Sequence, residues 1–119
     1  MKNETELGST SNVKCKIIKT ENLKTGWFKK SNFYHIETRG MKTIWKVKRS
    51  HEEFLWLREK LVETFPGAFI PPVECSESAT QFLQNFLLCL LERRELRNCN
   101  VVEHFLKVED LQTMYGNLD

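Results

Sequence analysis

No short motif in the 119-residue chain announces a reaction. There is no G-x-G-x-x-G, G-x-x-x-x-G-K-[ST], H-E-x-x-H or G-x-S-x-G, which leaves no phosphate-cradling loop, zinc helix or nucleophile elbow to build on. Long apolar runs are missing as well. The longest, "FLLCLL" at residues 86–91, falls far short of the ~18 residues that suggest a membrane span. The opening "MKNETELGSTSN" has no apolar core of the kind a signal peptide needs, and residues 1–12 read as a polar tail. Cys15, Cys75, Cys89 and Cys99 form no C-x-x-C pair, and His35, His51 and His104 complete no ligand spacing. Neither a metal nor another cofactor is expected, and the thiols read as isolated, buried, reduced residues of a cytosolic protein. Internal repeats and low-complexity tracts are also absent.

What is present is the composition of one ordinary globular domain, 40% apolar and 29% charged, in a chain too short for two cores. The net charge of +2 conceals an asymmetry. Residues 13–49 hold eleven Lys/Arg against Glu21 and Glu37, whereas residues 61–119 hold four Lys/Arg against nine Asp/Glu. A basic half is the footprint of solvated strands, and also of a surface that meets phosphates.

In "VKCKIIKT", Val13, Cys15 and Ile17 alternate with lysines, the pattern of a half-buried strand over about 13–20. "NFYHIETRGMKTIWKVKR" reads as strands near 32–38 and 42–49 around a turn at Arg39-Gly40, with Gly40 free to take a positive φ. Trp45 and Val47 then face one side, Ile44, Lys46 and Lys48 the other, and "ENLKTGWFKKS" is a loop carrying Trp27 and Phe28. Ser50 and Glu53 form an S-x-x-E capping box. Phe54, Leu57, Leu61 and Phe65 follow at helical spacing, so a helix spans about 51–65 and Pro66-Gly67 ends it. "FIPPVE" is extended. Ser78 and Gln81 suggest a second box before a helix over 79–93 lined by Phe82, Phe86, Leu87, Leu90 and Leu91, and Asn100 with Glu103 starts a third helix holding Val102, Phe105 and Leu106. "EDLQTMY" reads as a last turn. Strands followed by helices make an α+β domain with a three-stranded antiparallel sheet. Trp45, Val47, Phe54, Leu57, Leu61, Phe86 and Phe105 form its expected core. Glu52, Glu53 and Glu59 lie in the first turns of the first helix, where its dipole favours carboxylates without any acid–base role. No catalytic residue is expected.

The order of a basic strand end, "HEEFLWLREKL", "FPG", "IPP", "FLQNFLLCLLERRELRNC" and "VVEHFL" resembles the PX (phox-homology) domain over about residues 13–110, with the domain bounded at 13–115. The resemblance implies the PX fold, a sheet packed against a helical subdomain through a proline-rich connection. It also implies a non-enzymatic module that binds phosphoinositides, chiefly phosphatidylinositol 3-phosphate, often in a cytoplasmic sorting nexin peripheral to endosomal membranes. The family's strand end reads Arg-Arg-Tyr-Ser-Asp-Phe, the second arginine gripping the 3-phosphate and the tyrosine stacking under the inositol ring. With Phe54 aligned, the first arginine is Arg49, the second falls on Ser50 and the tyrosine on His51. The family's later lysine falls near Ser76, in a shortened loop, and its arginine at the next helix start on Ala79. Each charge-assisted bond to a phosphate contributes ~1.5–3 kcal/mol, so the replacements predict weak, atypical phosphoinositide binding by a remodelled set: Lys46, Lys48, Arg49, Ser50 and His51. Lys14 and Lys16 could join Lys46 and Lys48 on one face of the sheet. The alternative is a module for a protein partner, and "HEEF" in place of "YSDF" is similar to the cargo-recognising branch of sorting nexins, whose long helical insertion is missing here. A nucleic-acid partner is not expected.

Overall fold

Alternating apolar and polar residues pair three strands antiparallel in the order β1 (Lys14–Lys24), β2 (Lys30–Arg39), β3 (Ile44–Ser50). The structure, a computed structural model, describes residues 13–24, 26–27, 29–74 and 80–111. Pairing runs from Lys14 opposite Arg39 to Lys24 opposite Lys30, so the loop between β1 and β2 is shorter than its polar composition suggested. An irregularity between Ile17 and Lys19 leaves Ile18 as an extra residue, which restores Thr20 opposite Tyr34 to the inner side. Cys15, Ile17, Tyr34, Ile36, Thr38, Val47 and Arg49 are buried on that inner face.

The strand-to-helix junction follows from Ser50. Its hydroxyl accepts from Glu53 N at 3.1 Å, and its own amide donates to Glu53 Oε1 at 2.8 Å, a complete capping box that starts α1 (His51–Thr64). Gly67, with φ of 89°, reverses the chain after the helix, a conformation open to glycine at no steric cost. The extended proline segment is held by Arg58, which donates to Pro71 O at 3.0 Å and Ile70 O at 3.2 Å. Then come α2 (Thr80–Glu92), a single turn α3 (Arg94–Arg97) and α4 (Asn100–Lys107). Phe54 is the centre of the core, with the rings of Phe105, Tyr34 and Phe86 edge-on to it at 5.1, 5.6 and 6.3 Å. Leu57, Leu61, Val102 and Leu106 are also buried.

Five expectations need correction, the first being burial of the thiols, since Cys89 is exposed. Gly40 does not take a positive φ; a side chain there would meet the Trp45 ring at 3.1 Å, so close packing is what the glycine permits. Trp45 is half-buried, with Lys107 Nζ lying 4.2 Å from the centroid of its ring. Phe82 is 67% exposed and Leu83 takes its place, because the buried arc of α2 through Leu83, Phe86, Leu87, Leu90 and Leu91 is centred roughly 100° away from Phe82. Asn100 lies inside α4 and Cys99 occupies the cap position without a side-chain bond. The turn α3 had no periodic signal, being four residues long. Ser78 and most of "EDLQTMY" lie outside the described residues.

One contact between sheet and helices has a particular form. The side-chain amide of Gln84 on α2 accepts from Ile17 N at 2.7 Å and donates to Cys15 O at 2.9 Å. These are the two bonds that a neighbouring strand would make with β1.

Candidate functional site

The register of β3 divides the five candidate residues before any ligand is considered. Lys46 and Lys48 are exposed on the outer face of the sheet, whereas Arg49, Ser50 and His51 are buried on the helical side. Lys46 and Lys48 line, with His35, Ile18 and Glu109, a depression of about 250 Å³. Lys48 Nζ also lies 5.5 Å from the centroid of the Phe33 ring.

Arg49 is 0% exposed. Its Nε donates to Phe105 O at 2.8 Å, Nη1 to Glu109 O at 2.8 Å and more weakly to Lys48 O at 3.4 Å, and Nη2 to Val108 O and to His104 O at 3.3 Å. The guanidinium therefore serves the carbonyls at the end of α4 and just beyond, where intrahelical donors run out; His104 O also accepts from Val108 N at 2.8 Å, and the guanidinium carbon lies 5.2 Å from the Phe105 ring centroid. Burial pushes its pKa below the ordinary arginine value, and the carboxylates of Glu53, Glu109 and Asp110 oppose that shift. The signal for this role was available in the sequence: Arg49 shares the parity of Trp45 and Val47, the inward side of β3.

Ser50 is likewise engaged, as the cap described above, and the Glu53 carboxylate occupies part of the N-terminal end of α1. Glu52 beside it pairs with Lys29 at 3.8 Å. His51 is 3% exposed, and its Nε2 has no hydrogen-bond partner among the described residues. Ser76 and Ala79, the positions aligned with the family's lysine and later arginine, lie outside the described residues.

On the outer face, pairing aligns Lys14 with Arg39, Lys16 with Glu37 and Lys46, and Lys19 with His35 and Lys48. Arg39 Nε donates to Glu37 Oε2 at 2.5 Å, and this bond is the main reason the Glu37 carboxyl titrates below its ordinary value. Glu21 is lowered chiefly by its contact with His35 Nε2 at 2.6 Å, with Lys19 at 3.7 Å also helping. Trp27, between β1 and β2, is 89% exposed, and Phe28 lies outside the described residues. Among the described residues, no group of three His, Cys, Asp or Glu could hold a metal ion, and no helix is long and apolar enough to cross a membrane.

Comparison with known proteins agrees with this architecture. The family model described as "PX domain" matches residues 37–73, from the end of β2 through β3, α1 and the proline segment. Among solved structures, a designed CISK-PX domain is similar, with a TM-score of 0.65 and 24% identity over 80% of this chain and 99% of that one. No curated protein sequence matches. The chain thus has the PX fold, and the segment joining its sheet to its helical half matches the PX domain family model.

Proposed function

We propose that this domain is a non-catalytic, peripheral membrane module of a sorting-nexin-like trafficking protein, which associates with phosphoinositide-containing endosomal membranes weakly and with little selectivity among headgroups. The burial of Arg49 carries the reading. A PX pocket grips phosphate through arginine forks, and the one arginine retained at this junction spends its donors on backbone carbonyls. Ser50 is committed to the helix cap, so of the five candidates only Lys46 and Lys48 remain exposed to a headgroup. Calorimetric titration with short-chain phosphatidylinositol 3-phosphate tests this. The expected result is no saturable binding of the soluble lipid and salt-sensitive binding to liposomes; tight, salt-resistant binding of the soluble lipid would overturn it. A second reading, a docking module for a protein partner, is favoured by the exposure of Trp27 alone, since large exposed aromatics are characteristic anchors of interfaces.

A further inference from the structure

The outer face of the sheet carries Lys14, Lys16, Lys19, Arg39, Lys46 and Lys48 against the strand carboxylates Glu21 and Glu37, with Glu109 bordering the depression beside Lys46 and Lys48. Neighbours in this array are ~5–7 Å apart, across strands or two residues along one, within the screening length of ~8 Å at physiological salt. Their fields therefore add. Both strand carboxylates are held ionised by cationic or imidazole neighbours on the same face, and six cations against these two and Glu109 leave a positive excess that faces solvent. The α2 helix reaches this side only at the rim. There a cleft of about 810 Å³ is lined by Lys14, Lys16, Arg39, Ile18 and Leu88 among others.

We infer that this open, basic face of the sheet, rather than the β3–α1 junction, is the surface by which the domain meets an anionic bilayer. The inference rests on the membrane reading above and adds to it the surface and the headgroup chemistry. The non-polar residues beside the cations decide between bilayer and nucleic acid. Ile18 and Ile44 are exposed, and Met41 in the β2–β3 turn is 79% exposed; these aliphatic side chains suit the boundary between headgroups and acyl chains. Base stacking needs aromatic platforms, and the aromatic that β2 contributes to this face, Phe33, already faces Lys48. A diffuse array of this kind recognises negative charge density, so phosphatidylserine should suffice and the 3-phosphate should add little.

The test uses the full chain and vesicles of phosphatidylcholine with phosphatidylserine, with and without phosphatidylinositol 3-phosphate. Sedimentation with the vesicles reads the partition constant. Each cation near such a surface contributes about fivefold to binding, so Lys16→Gln with Lys46→Gln should weaken partitioning about 25-fold on both vesicle types, with unchanged circular dichroism. Lys60→Gln on α1 serves as the control and should not change it. If the unmodified chain sediments with vesicles and the double variant does so equally well, the sheet-face inference is wrong while the membrane reading stands. Loss of binding through Trp27→Ala alone would overturn it in the same way and assign docking to the β1–β2 loop. If no vesicle retains the unmodified chain, both fall. Retention by a single-stranded polynucleotide or an acidic polypeptide in that last case would name another class of partner.

Discussion

Replacing Arg49 by alanine separates a ligand from a brace. The guanidinium bonds the carbonyls of Phe105 and Glu109 at 2.8 Å each, contacts Val108 O closely and makes two longer bonds, all from a fully buried position. Truncation removes the side-chain donor to Phe105 O, Val108 O and Glu109 O, while His104 O keeps its bond from Val108 N, and opens a cavity beside Phe105. Each unsatisfied buried polar group costs ~1–3 kcal/mol, and water entering the cavity recovers part of that, so about 4 kcal/mol is expected for Arg49→Ala, within the ~3–5 kcal/mol range for breaking a buried charged interaction. Small domains have only ~5–15 kcal/mol in total, so the alanine variant should be close to unfolding at 37 °C. Lysine keeps the charge but presents its donors from one nitrogen, which cannot reach carbonyls on both sides of a guanidinium; Arg49→Lys should cost about 2 kcal/mol. Urea unfolding followed by tryptophan fluorescence reads both. An alanine variant within ~0.5 kcal/mol of the parent, the spread expected for an ordinary surface change, would refute the brace. A lysine variant that kept full stability and lost lipid binding would restore Arg49 to the ligands.

Ser50→Ala should cost about 1 kcal/mol in the same denaturation experiment, with an unchanged slope, because the cap is complete at both of its bonds. Cys15, buried with its pKa pushed up to about 11, should resist alkylation at pH 8 while exposed Cys89 is modified, as mass spectrometry after a timed quench would show; equal labelling would contradict the packing of β1. Glu21, Glu37 and Glu95 all titrate below their ordinary value of 4.5 in the folded chain. Their contribution is therefore complete above that pH and is lost as the pH falls through the lowered values, so melting temperature should be level from pH 7 to about 5 and decline below, and Glu37→Gln should flatten the decline. Gln84→Ala frees the two backbone groups of β1 that its amide satisfies; light scattering at raised concentration should report faster association than for the parent, and an unchanged rate would show that the edge needs no cover.

Much of the fold was legible because each element had a local signal. The alternation of Cys15, Ile17 and Val47 with lysines is a strand pattern, and Ser50 with Glu53 marks a helix start without reference to anything distant. Phe82 shows where such signals stop: helical spacing defines a stripe, and only the partner decides where its centre falls. The site was less legible for a related reason. Alignment with a family motif makes Arg49 a candidate by position, yet its function here is set by carbonyls 55–60 residues further along the chain. His51 matched the tyrosine position and is buried, with no exposed imidazole for a headgroup. Lys46 and Lys48 were the candidates whose surroundings were local, and their outward direction followed from strand parity.

The Gln84 amide has a bearing on the time course of folding. Its two bonds to β1 join residues 67 and 69 positions apart, whereas the turns of the two hairpins close within the first fifty residues. Local hairpins form in microseconds, before distant segments are brought in. During the interval between hairpin closure and the arrival of α2, Cys15 and Ile17 present bare hydrogen-bonding groups along the uncovered edge of the amphipathic strand β1, and pairing with a second copy competes with folding most strongly then. A chain emerging from a ribosome passes through that interval at the pace of synthesis, since residue 84 follows the completed sheet by more than thirty positions. The side chain that closes the edge in the finished domain therefore also sets how long the nascent domain is exposed.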